Sequence, residues 1–161
     1  MYRGKTHPMK RTALVLLLAT LFLGGAGYAA AQGTGGDVEG GALDLREANV
    51  VAVSVERSGN SYRFDVTLIH DDDGEAGYAD WWQVETLSGE QLGRRTLLHA
   101  HGTREFTRSE SITIPAGVSR VVVRGHDQTH GYGGQAMIVT LESGATETIR
   151  QESDAQDMSG R

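Results

Sequence analysis

The sequence predicts an all-β fold, an antiparallel β-sandwich of about seven strands over residues 46–150. Two observations carry this expectation. Runs in which apolar and polar residues alternate recur about every 8 to 12 residues, each closed by Gly, Asn, Ser or Pro. No stretch keeps the helical period of apolar residues long enough to form a helix.

In order, Asn49–Arg57 is the first strand, with Val51, Val53 and Val55 on one face, and Ser58-Gly59-Asn60 turns the chain. Tyr62, Phe64, Val66 and Leu68 then alternate with Arg63, Asp65 and Thr67, the clearest strand signal present. Asp80–Leu87 carries Trp82 and Val84; Ser88-Gly89-Glu90 turns; Gln91–Leu98 returns. Arg108–Ile114 ends at Pro115-Ala116-Gly117, Ser119–Gly125 holds Val121, Val122 and Val123, and Gln135–Leu141 holds Met137, Val139 and Leu141. A last run, Ala145–Arg150, extends the final hairpin. The pattern resembles immunoglobulin and fibronectin type III sandwiches, in which Trp82 would stand as a core tryptophan on the third strand. A cysteine pair is absent.

The flanks differ in composition. Residues 1–31 read as a signal peptide: Arg3, Lys5, Lys10 and Arg11 form a basic start, Ala13–Leu23 is apolar, and Ala29-Ala30-Ala31 is a small-residue cleavage site. The alternative is a leader kept as an anchor. Residues 32–45, rich in Gly and acid, read as a flexible leader, and 151–161 as a disordered polar tail. Cleavage predicts a periplasmic or secreted protein without stable membrane association. Removing the four leading basic residues moves the formal charge from −6 to about −10. Such a surface repels phosphate backbones, which excludes nucleic acid as a partner and favours cations.

All histidines but His7 lie where strand direction would gather them. The second strand ends at His70, the fourth at His99 and His101, and the sixth at His126, with His130 in the following turn. In an antiparallel sandwich these three connections share one pole. The turns expected at the other pole carry no histidine. His99 and His101, two residues apart on an extended chain, point to one side, and imidazole suits Cu(II) or Zn(II). The expected ligands are His70, His99, His101, His126 and His130, with Asp80, Asp127 and Glu105 orienting imidazoles and Trp81 and Tyr132 walling the site. Glu105 or Asp127 would be the acid–base partner if the site were catalytic; whether it is an enzyme stays open. Asp71-Asp72-Asp73-Gly74-Glu75 offers oxygen ligands for Ca(II), which ranks below Cu(II) and Zn(II) because the EF-hand spacing is missing. Plain solvation is the other reading of that acidic loop. Arg104 and Arg108 are expected to pair with Glu105 and Glu110.

Tyr78-Ala79-Asp80-Trp81-Trp82-Gln83-Val84-Glu85, His99-Ala100-His101, Phe106-Thr107-Arg108-Ser109 and His126-Asp127 through His130-Gly131-Tyr132-Gly133-Gly134 together resemble an uncharacterised family of small exported prokaryotic β-sandwich proteins. The resemblance covers about Arg46 to Leu141 and implies a fixed histidine pole. Gly93, His99-x-His101 and Glu105 also resemble the first cupin motif, which implies a cupin-like barrel binding a metal through two His and a Glu. Ile112 stands where that motif has glycine, and Arg120 where the second motif has histidine. Three functions follow: an exported Cu(II)- or Zn(II)-binding protein, a metal-dependent cupin-like or redox enzyme, and an adhesion or recognition module without metal.

Overall fold

Eight antiparallel strands form two sheets in a computed structural model that describes residues 42–72, 74–151 and 157–161. The signal peptide and residues 32–41 of the leader lie outside the described residues, as do Asp73 and residues 152–156. The strands are β1 (Asn49–Ser58), β2 (Ser61–Ile69), β3 (Ala79–Thr86), β4 (Gln91–Thr96), β5 (Phe106–Thr113), β6 (Arg120–Asp127), β7 (Gln135–Thr140) and β8 (Thr146–Arg150). One sheet is ordered β1-β2-β5, the other β4-β3-β6-β7-β8. Without β8, this is the three-plus-four strand order of a fibronectin type III sandwich, and the predicted extension at Ala145–Arg150 supplies the eighth strand. Two open sheets packed face to face stand in place of the cupin-like barrel.

The alternation that identifies β2 also builds the core. Phe64, Val66 and Leu68 are fully buried, while Arg63 is exposed and Asp65 and Thr67 are only half-buried. Across the sandwich they pack in one cluster with Trp82, Val84, Val121, Val123, Met137 and Val139. Each such large side chain withdrawn from water contributes about 1.5–3 kcal/mol. The outer side of the three-stranded sheet is hydrophilic, with Thr67 and Thr107 joined through their hydroxyls at 2.8 Å and Ser61 and Thr113 at 3.1 Å.

The five-stranded sheet is covered on both faces, which explains three consecutive buried valines at 121–123. On its outer face Val122, Ala136, Ile138 and Ile149 make a second cluster with Leu87 and Met158. The described ends of the C-terminal tail are packed there: Gln151 is buried, and the Met158 N–H donates to Leu87 O at 2.6 Å. Beside the cluster runs a polar network, buried at Gln83, Glu85, Arg124 and Gln151 and reaching solvent at Arg94. Gln83 bonds to Glu85, Arg94 donates to Gln83 Oε1 at 2.9 Å, and Arg124 meets Glu85 at 3.5 Å and Gln151 Oε1 at 3.0 Å.

One detail of β1 departs from the simple alternation. The register against β2 shifts between Val50 and Ala52, so Val51 is the extra residue of a β-bulge. The inward face therefore runs Val50, Val53, Val55, and Val51 is not in the core.

Candidate functional site

Strand direction brings the connections β2–β3, β4–β5 and β6–β7 to one pole, together with the segment that leads into β1. The five histidines are all there. They divide among three environments, however, because side-chain parity separates what strand direction gathers.

His70 follows β2 on the inward parity of Val66 and Leu68 and is 2% exposed. Both ring nitrogens face oxygen. Nε2 donates to the Arg46 carbonyl at 2.9 Å, and Nδ1 is bonded to the Asp72 carboxylate. A carbonyl can only accept, so Nε2 carries a proton, and His70 has no lone pair to offer outward. Asp72 is itself 4% exposed and reaches further: Oδ1 accepts the Ala79 N–H at 2.9 Å and Oδ2 the His101 N–H at 2.8 Å. One carboxylate thus ties the end of β2, the start of β3 and the β4–β5 connection. Asp72 is no solvated loop acid, whereas Asp71 and Glu75 are exposed.

β4 stops at Thr96, earlier than the expected Leu98, so His99 and His101 lie in a loop. Their rings still share one side, with centroids 4.6 Å apart. His101 stacks on Phe106 at 3.9 Å with planes 7° apart, its side chain 4% exposed. Its Nδ1 has no hydrogen-bond partner among the described residues and lies 3.7 Å from Asp72 Oδ2. Burial holds the His101 pKa below the usual 6.5, helped by Arg108 and His99 and opposed by Asp72. His99 is exposed and donates from Nδ1 to Ala100 O at 2.9 Å.

His126 is on the opposite parity. In β6, Val121, Val123 and Gly125 are on the inward side, so His126 projects onto the outer face of the five-stranded sheet beside Trp81. The two rings stack at 3.6 Å, Tyr132 meets His126 edge-on at 4.9 Å, and the Arg94 guanidinium lies 4.2 Å from the Trp81 ring centre. A register shift between Ala79 and Trp81 places Asp80 in a bulge, from which its carboxylate accepts from His126 Nδ1 at 2.7 Å.

Asp127 is fully buried and points inward. Its Oδ1 accepts the N–H groups of Thr129 at 2.8 Å and His130 at 2.6 Å, closing the β6–β7 turn, and lies 3.2 Å from His130 Nδ1. Its Oδ2 has no hydrogen-bond partner among the described residues and is 3.9 Å from His70 Nε2. His130 itself is exposed, its side chain at 43%.

Of the carboxylates expected to orient imidazoles, Asp80 bonds to His126 Nδ1 and Asp127 lies 3.2 Å from His130 Nδ1, while Trp81 and Tyr132 pack against the His126 ring. Glu105 is exposed and, among the described residues, pairs with none of the histidines. Arg104 and Arg108 form no ion pair with Glu105 or Glu110 among the described residues: Glu110 meets Arg95 at 3.5 Å, and Arg108 lies 5.6 Å from the Phe106 ring centre. Among the described residues no three His, Asp or Glu side chains are arranged to hold a metal ion.

Sequence reasoning overlooked Asn49. Fully buried, it donates from Nδ2 to Asp44 O at 2.8 Å and Glu47 O at 2.7 Å, and accepts the Gln135 N–H at 2.9 Å. It therefore fastens the segment before β1 to the start of β7. Gly134, at φ +73°, and Gly133 leave room for Asn49 and Glu47 there. The polar residue at the head of a valine-rich strand was the available signal.

No family model matches the chain, and no solved structure matches it. A Halomicrobium mukohataei protein named "Putative lipoprotein" is 66% identical over 116 residues, 71% of this chain. The match covers 58% of that protein, so the chain spans little more than half the length of this relative.

Proposed function

We propose that this chain is an exported, cell-envelope recognition module whose histidine pole is its binding face. Export is supported by the basic and apolar leader in the sequence and by the lipoprotein name of the similar Halomicrobium mukohataei protein. The observation that carries the binding face is the role of Asp72 and Asp127. Buried Asp72 ties the β2–β3 and β4–β5 connections together and buried Asp127 closes the β6–β7 turn at the same pole, as a scaffold holds binding loops. His99 and His130 are exposed on this rim, the His99 ring held through Nδ1 by the Ala100 carbonyl. Replacing His99 and His101 together by Ala tests this reading in full-length protein on the cells that produce it. The expected result is loss of protection of the β4–β5 connection from protease added to intact cells while export is unchanged; equal protection in variant and wild type overturns it.

A second reading has one geometric support. A carboxylate on Nδ1 is the arrangement that prepares Nε2 as a metal ligand, and Asp80–His126 has it. On this reading His126 is the anchoring ligand for Cu(II) or Zn(II) at the outer rim, and His70 is excluded by its two oxygen partners. Calorimetric titration of the purified protein with each ion is the test. Absence of binding at about 1 µM or tighter removes the metal reading and leaves the recognition reading standing.

A further inference from the structure

We infer that the partner of this pole is a lipid bilayer surface, met when the leader is retained; the inference rests on the envelope reading above. The described residues expose three large apolar side chains, Leu98 at 80%, Leu45 at 39% and Leu43 at 38%. All three are at the histidine pole. Leu98 stands between β4 and His99, and Leu43 and Leu45 lie in the segment approaching β1, where Leu45 O accepts the Asp71 N–H at 2.7 Å. The two segments therefore flank the same Asp71–Asp72 connection, while the far pole exposes no large apolar side chain among the described residues. Scattered surface leucines are ordinary, but three gathered at one end mark a contact.

The chain outside the described residues says what covers them. It joins the domain at this pole, at Ala42. Between the apolar run ending at Leu23 and Ala42 lie 18 residues, eight of them glycine. A Gly-rich chain of that length spans on average about 25 Å. β1 alone, ten residues long, extends about 33 Å at roughly 3.3 Å per residue. A leader seated in a membrane therefore brings the histidine pole, on average, nearer to the surface than the far pole. The acidic body favours a zwitterionic bilayer, and the leucines enter its interface as short apolar anchors.

The chain contains no cysteine, so Leu98→Cys and Ala116→Cys each give one labelling site, Ala116 lying at the far pole between β5 and β6. The full chain carrying a polarity-sensitive dye at either site is bound to phosphatidylcholine vesicles. A blue shift at position 98 with none at 116 is expected; equal spectra at the two positions, or no association with vesicles, overturns the inference. On intact cells, an impermeant maleimide should modify Ala116→Cys and spare Leu98→Cys until detergent is added. Failure of both to react refutes export, whereas equal reaction of both refutes bilayer docking and leaves export intact. Protection of Leu98→Cys on cells without the shift on vesicles assigns the pole to a protein and also overturns the lipid reading.

Discussion

The Asp72 carboxylate accepts the backbone N–H of His101 at 2.8 Å across 29 positions of sequence. The same group holds the His70 ring and the Ala79 N–H, so His70 and His101 are arranged about one buried acid. Burying an ionised carboxylate is costly unless charge or hydrogen bonds compensate, and here its bonds fix both ends of the β2–β3 connection and the β4–β5 connection.

Asp72→Ala should therefore destabilise the protein by about 3–5 kcal/mol, the range for breaking a buried charged network by deleting one partner. Urea unfolding measures it. Hydrogen exchange should report the same event locally, as faster exchange at Ala79 and His101. A loss under about 1 kcal/mol, typical of a surface pair, would show that Asp72 does not tie the two connections together.

Gly125→Ala tests how closely β6 meets the segment before β1. A Cβ there would enter the Ala48 backbone carbonyl and lie 3.0 Å from Ala48 Cβ. A Cβ at Gly93 meets Ile112 Cγ1 at 2.8 Å, an obstacle that can change rotamer. Overpacking costs about 1–3 kcal/mol, and the thermal midpoint should fall further for Gly125→Ala than for Gly93→Ala. The reverse order would mean that the approach segment yields more easily than the core.

The sandwich was legible because each strand repeats one local rule, and Phe64, Val66 and Leu68 obey it without exception. Trp82 was legible for the same reason. The gathering of the histidines was legible from strand direction, a count of reversals that tolerates errors of one or two residues. Their division was not. His126 and Asp127 are neighbours that point to opposite faces of the sheet, and the bulge at Asp80 re-aims a side chain that alternation would misplace. Asp72 and Asn49 were hidden more deeply, since polar side chains beside loops read as solvated until backbone donors and acceptors from elsewhere in the chain surround them.

Asn49→Leu fills the same space without the three hydrogen bonds. It leaves the Gln135 N–H and the carbonyls of Asp44 and Glu47 without this partner. Unmade bonds of buried groups cost about 1–3 kcal/mol each, so chemical denaturation should show a loss of at least about 2 kcal/mol. Proteolysis within residues 42–48 should accelerate more than the global loss accounts for. A variant as stable as wild type would show that Leu45 O with Asp71 N and β1 pairing suffice to hold the segment.

His101 sets the acid response of the pole. Folding lowers its pKa from 6.5, first by burial against Phe106 and then by the charges of Arg108 and His99, with Asp72 acting the other way. Between the lowered value and 6.5 the unfolded chain binds the proton more readily than the folded one. Stability contributed by the neutral ring is therefore complete above that pH, declines as the solution is acidified through the window, and is gone below the folded value. His101→Gln removes the titration while keeping a polar side chain there. The difference in unfolding free energy between wild type and His101→Gln should narrow on going from pH 7.5 to pH 5 (about 2.5 units spanning the histidine range), read by urea titration at matched ionic strength. A difference that stays constant would mean that Asp72 offsets burial, and one that widens in acid that Asp72 outweighs it and protonation tightens the pole.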